Sequence, residues 1–159
     1  MLGLGGSQPV SGKAEESINC SITKAYEYIG HRFFDNYPKW CPQVVELEQL
    51  SDPPVQVGTR GRQVTRDRGI DSESTFEVSA FSPSEKLEIR GSSEPFRSSY
   101  EFQHEEGGGT RVAFTFELLE IDLVMRPFQK LIRSALQDGA IQTIENIKRL
   151  LEEQEGQTA

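Results

Sequence analysis

Cysteine, histidine and basic charge are scarce in this chain, and each scarcity removes a class of function. Two cysteines, Cys20 and Cys41, are too few for a disulfide scaffold and lack metal-ligand spacing. Both are expected to be reduced and partly buried, and whether they lie close together is open. Two histidines, His31 and His104, stand far apart, with no H-E-x-x-H and no nucleophile and acid at a recognisable spacing. A Ser-His-Asp site and a zinc site are not expected, so no catalytic residue, metal or cofactor is assigned. Basic residues number 17 against 25 acidic ones, a formal net charge of −8. Phosphate contacts need a basic surface, so nucleic acid is not an expected partner, and the same balance argues against an anionic membrane surface. No apolar run approaches the length of a membrane span. The opening MLGLGGSQPVSG lacks a basic n-region and a signal-length apolar run; the cytoplasm is the expected location.

What is present is enough apolar material for one core. The 159 residues suit one domain. We expect a flexible tail over 1–13, a single domain over 14–153 and a flexible end over 154–159. EESINCSI (15–22) alternates, with Ile18, Cys20 and Ile22 on one face of a strand. TKAYEYIGHRFFDNY then takes a helical period through Ala25, Tyr28, Ile29 and Phe33, with Ser21 or Thr23 to cap it. Gly30 and Pro38 break this stretch into one helix and one short turn. Six strands follow, at about 44–50, 58–66, 71–81, 86–91, 95–103 and 111–119. Phe76, Val78 and Ala80 share a face, as do Phe96, Tyr100 and Phe102, and Val112, Phe114, Phe116 and Leu118. EEGGGT (105–110) is a hairpin loop, without the lysine and following helix of a phosphate loop. Contiguous strands, short turns and one-sided patterning predict an antiparallel meander with one apolar face.

The cover for that face is a long helix over about 121–153. Ile121, Val124, Phe128, Leu131, Ile132 and Ala135 form one stripe. Leu136, Ala140, Ile144, Ile147, Leu150 and Leu151 form another. At ~100° per residue the second stripe lies roughly 120° round from the first. A bend or phase slip near Gly139, or a strongly curved sheet, would let both be buried. Pro127 fits the first turn, and Glu145 and Arg149 are spaced for an i,i+4 pair. The middle of the helix is small-sided at Ser134, Ala135, Gly139 and Ala140. That permits either close packing on the sheet or a cavity between the two.

Several words in the sequence carry a family likeness: KAYEYI (24–29), NYPKWCPQVVELE (36–48), VGTRGR (57–62), FEVSAFSPSEKLEIRG (76–91), GTRVAFTFEL (109–118) and ENIKRLLE (145–152). With the element order, they resemble the START-like helix-grip superfamily (SRPBCC), in particular its polyketide cyclase/dehydrase and lipid-transport branch, over about 15–153. The resemblance implies an α+β helix-grip fold. A curved antiparallel sheet of about seven strands wraps a long C-terminal helix, with two short helices between strands 1 and 2. It also implies one apolar ligand in a cavity between sheet and helix. YPKWCP is similar to the same junction in ubiquinone-binding and toxin-like members, but the chain departs from them elsewhere and that ligand is not carried over.

The expected cavity lining is Trp40, Phe76, Phe96, Tyr100, Phe114, Phe116, Phe128, Ala135 and Gly139. Trp40, the only tryptophan, is held between Pro38 and Pro42 and is either a core plug or a pocket wall or gate. Tyr100 is a phenol on an apolar face and needs a partner, within the protein or on a ligand. Around residues 59–66, one face carries Arg60, Arg62, Val64 and Arg66, and the other Thr59, Gly61, Gln63 and Thr65. We expect the neutral face to point inward, because buried guanidinium groups would demand acidic partners. The loop SDPPVQVG (51–58) is expected at the mouth. The primary reading is a non-catalytic binder or carrier of a small hydrophobic molecule: a lipid, isoprenoid or polyketide-like compound. One alternative is a polyketide cyclase/aromatase or dehydratase using the same cavity. A second is a protein-interaction domain with a filled core. Oligomeric state is left open.

Overall fold

Period-two patterning organises most of the chain, and in the computed structural model, which describes residues 9–158, it becomes one seven-stranded sheet. The strands are β1 (Val10–Ile18), β2 (Val44–Gln49), β3 (Arg60–Asp67), β4 (Ile70–Ser82), β5 (Lys86–Gly91), β6 (Phe96–His104) and β7 (Thr110–Leu118). All neighbouring pairs are antiparallel, in the order β1-β7-β6-β5-β4-β3-β2, so β1 and β2 form the two edges. Between them in sequence come α1 (Ile22–Tyr26), a π-helical turn (Glu27–His31) and α2 (Phe33–Trp40). A 3₁₀ segment (Leu123–Phe128) leads into the long α3 (Gln129–Thr158).

Local chemistry accounts for the boundaries. β1 stops at Ile18 and does not run on to Ile22, because the Ser21 side chain accepts the Lys24 N–H at 3.3 Å and starts α1 there. Gly30 does not end the helix. The backbone widens into a π turn, with the Arg32 N–H on the Glu27 carbonyl, and the buried Asn36 amide donates to the Tyr28 carbonyl at 2.9 Å. Pro38 lies inside α2, which runs on to Trp40. Arg68 and Gly69, both at positive φ, turn β3 into β4.

A register shift between Val78 and Ala80 inserts a bulge in β4. The extra residue breaks the expected Phe76–Val78–Ala80 face. Phe76 and Val78 are buried, but beyond the bulge Phe81 turns in against Tyr26 and His31. The neutral face of β3 points inward through Gly61 and Gln63, while Arg62 pairs outside with Glu46, Glu48 and Glu73.

Ala140, Ile144, Ile147 and Leu151 of α3, spaced by four, three and four, enter the core with Ile18, Ile29, Phe33 and Val112. Backbone groups of the edge strand tie the helix down. The Gln137 amide accepts from the Lys13 N–H at 3.0 Å and donates to the Lys13 carbonyl at 2.8 Å. The Lys148 ammonium donates to the Ser17 carbonyl at 2.7 Å. At Gly12 the two elements touch: a Cβ there would fall on the Leu136 carbonyl.

Three further expectations are corrected. The strand begins at Val10, inside the stretch expected to be a tail, and α3 reaches Thr158; residues 1–8 lie outside the described residues. Arg149 pairs with Glu153, not Glu145. No break in α3 reconciles the two stripes. The second is largely buried, whereas the first stays largely in solvent, with Val124 77% and Leu131 70% exposed.

Candidate functional site

A pocket of about 480 Å³ lies between the sheet and α3, within the range typical of small-molecule sites. It has three walls. Tyr37, Trp40, Phe96, Tyr100, Phe114 and Phe116 form an aromatic wall on α2, β6 and β7. Ala135, Leu136, Gly139, Ala140 and Thr143 form the helix wall. Gln63, Thr65, Ser74 and Ser98 form a polar but uncharged wall on β3, β4 and β6, and the carboxylates Asp67 and Glu94 stand at the exposed rim.

The space has an identifiable origin. Side chains at positions 135, 139 and 140 of the helix are a methyl group or nothing, and a Cβ at Gly139 would meet no atom within 4 Å. The helix thus withdraws from the aromatic wall where its residues are smallest. Of the expected lining, Trp40, Phe96, Tyr100, Phe114, Phe116, Ala135 and Gly139 come together at the pocket. Phe76 does not: it packs behind α2, stacked on Phe34 and edge-on to Phe33, where Gly61 leaves room for both rings. Phe128 does not either, being 50% exposed before the first turn of α3. The loop 51–58 contributes no lining residue. Gln63 and Thr65 were legible as an inward face, but Ser74 and Ser98 were not singled out, because a serine between aromatic residues on a strand reads as filler.

Trp40 is 1% exposed and still walls the pocket, so plug and wall are one residue. Its indole N–H donates to the Tyr100 hydroxyl at 3.2 Å, and the Trp40 carbonyl accepts from Asn146 of α3 at 3.1 Å. The Tyr37 hydroxyl donates to Gln63 Oε1 at 3.0 Å, and Gln63 Nε2 donates to Ser74 Oγ at 3.2 Å. These two chains leave donors over. Tyr100 only accepts from Trp40, so its own proton has no acceptor among the described residues. The Ser98 hydroxyl, on a buried residue lining the pocket, has no partner among them.

Burial pushes the Tyr100 and Tyr37 phenols far above the usual tyrosine range, and raises the Cys41 thiol as well. All three are protonated at neutral pH. Tyr37 and Cys41 already donate, to Gln63 and Gln43, so of the three it is Tyr100 that offers a free donor on an aromatic background. Cys20 lies away from the pocket, buried in the core beside α1, and both cysteines are free. Among the described residues no group of His, Cys, Asp and Glu is arranged to hold a metal ion.

Solved structures with the same fold include the di-domain ARO/CYC StfQ from the steffimycin biosynthetic pathway, at TM-score 0.73 and 16% identity over 94% of this chain. The chain spans about half of that protein, 52% of its length. A Staphylococcus aureus protein of unknown function is similar at TM-score 0.72 and 19% identity, over 94% of this chain and 97% of that one. The major latex-like protein 151 of Panax ginseng is similar at TM-score 0.68 and 12% identity, over 91% and 99%. At these identities the likeness concerns the fold. No curated protein matches by sequence. The family profile described as polyketide cyclase / dehydrase and lipid transport matches residues 10–152, nearly the whole described chain, and the protein belongs to that family.

Proposed function

We propose that this protein binds a small hydrophobic molecule between the sheet and α3, as a carrier or binder without chemistry of its own. One observation carries the reading: the pocket of about 480 Å³ is walled by six aromatic residues and a small-sided helix, with hydroxyl donors left unused inside. The ligand that fits is apolar and flat enough to lie on Phe96, Phe114 and Phe116. It carries a carbonyl or hydroxyl oxygen that accepts from Tyr100 or Ser98. Binding the ligand would satisfy donors that the fold leaves idle, which gives orientation as well as affinity.

The alternative is a polyketide cyclase/aromatase or dehydratase, supported by the fold it shares with StfQ. Such chemistry needs a general base poised near the working pH. The groups inside are phenols and a thiol held protonated by burial, and the carboxylates Asp67 and Glu94 stand at the rim. That balance favours binding. The filled-core interaction domain loses support from the pocket itself.

Gly139→Leu tests the proposal. The new side chain grows into open space, and replacing a helical glycine adds up to about 1 kcal/mol of helix propensity. Native mass spectrometry of the purified protein, and titration with a neutral phenylnaphthylamine dye, should show binding to the parent protein. The variant should bind at least tenfold more weakly while melting no earlier. Equal affinity in the folded variant, or no binding by the parent protein across lipids, isoprenoids and aromatic polyketides, would overturn the reading.

A further inference from the structure

The apolar stripe that stays outside the core does not end at random. Leu123, Val124, Met125, Phe128 and Leu131 are all exposed, Leu123 by 72%. Phe128, Leu131, Ala135 and Gly139 follow at spacings of three, four and four, which places them along one face of the helix. The last two line the pocket. An exposed apolar lip thus runs without interruption into the pocket wall. Contiguous exposed apolar residues of this size mark contact surfaces.

Charge identifies what the lip meets. The whole chain carries −8, but residues 123–137 contain Arg126, Lys130 and Arg133 and no acidic residue. Among the described residues, cations such as Arg62, Arg66, Arg97, Arg111 and Lys148 are paired with carboxylates, whereas Lys13, Lys39, Arg60, Arg68 and Arg90 are not but lie outside this segment. Arg126, Lys130 and Arg133 have no carboxylate partner among the described residues. Large apolar side chains interleaved with unpaired cations at the start of an amphipathic helix suit the interface of an anionic bilayer. There the apolar groups enter the acyl boundary and the cations stay with the headgroups.

We propose that the segment Leu123–Arg133 docks this protein onto anionic membrane surfaces, with the pocket beside the bilayer. The net charge of the chain argued the other way. It is a property of the whole surface, and screening within about 10 Å lets a local cluster act on its own.

Co-flotation with phosphatidylcholine vesicles, with and without phosphatidylglycerol, tests this. Binding is expected only when phosphatidylglycerol is present, and it should weaken as salt rises. Leu131→Glu should abolish it. Lys130→Gln with Arg133→Gln should weaken it by roughly twenty-five-fold, at about fivefold per cation. Both variants alter exposed side chains, and unchanged circular dichroism and melting confirm their fold. Gly139→Leu should float like the parent protein, so failure of the pocket reading leaves this one standing. No binding to either vesicle, or equal binding by parent and Leu131→Glu protein, would overturn the proposal. So would a dimer, seen by light scattering, that Leu131→Glu dissolves, because the lip would then face a second copy.

Discussion

Trp40 and Tyr100 share one hydrogen bond, at 3.2 Å, in which the indole donates and the phenol accepts. The bond fixes the Tyr100 ring at the pocket wall and aims its remaining proton elsewhere. Tyr100→Phe removes the acceptor and leaves the buried indole N–H unpaired, a penalty of about 1–3 kcal/mol. Chemical denaturation should show that loss, and ligand affinity should fall with it. Trp40→Ala should be worse, about 3–5 kcal/mol, because it empties a side-chain volume packed by Tyr28, Phe33, Tyr37 and Tyr100. If Trp40→Ala leaves stability unchanged and weakens only the ligand, the indole acts as a gate and not as a plug.

At the level of elements, the pocket depends on how α3 lies across the sheet. Its buried half is clamped to β1 through Gly12, Gln137 and Lys148. Its small-sided stretch spans the aromatic wall, and its first turn projects beyond. Gly12→Val should push the helix away from β1, because the added atoms meet the Leu136 backbone, which has no flexible end to yield. Overpacking of this kind destabilises by about 1–3 kcal/mol. The pocket should change shape too, visible as altered dye affinity in the folded fraction. A variant as stable as the parent protein would mean that the helix shifts along the strand at little cost.

Over the whole molecule, titration pulls in two directions. Hydrogen bonding to Arg111 holds Glu15 below the usual carboxylate range, and Arg66 does the same for Asp71. For Glu88, burial pushes upward, but the Ser79 hydroxyl with Lys86 and Arg97 outweighs it and the net shift is down. A depressed carboxylate contributes stability that is present above its unfolded value and lost as pH falls through its folded one. Burial raises Tyr26, Tyr37 and Tyr100, whose contribution is present below the ordinary tyrosine value of 10.0 and lost as pH rises beyond it. Melting temperature should therefore hold steady from about pH 6 to 9, fall below the ordinary glutamate value of 4.5, and fall again above 10.0 as tyrosinate absorbance appears. A protein that melts unchanged through pH 3 would show that these carboxylate pairs contribute nothing.

The sequence by itself determined the order of the elements, the inward face of each regular strand and the family. Period-two and period-3.6 patterns are local, and burial acts on every residue of such a pattern at once. Trp40, Tyr100, Ala135 and Gly139 were legible as wall residues because they are an aromatic or a gap on an otherwise regular face. Only the tertiary structure decided where the pattern breaks: the bulge at Val78–Ala80, the π turn after Tyr26, and Phe76 packed behind α2 instead of on the pocket. It also decided which of two apolar stripes on α3 the sheet could hold. An unbroken helix presents one face to a surface, so Ile144, Ile147 and Leu151 went inside, and Phe128 and Leu131 were left in solvent.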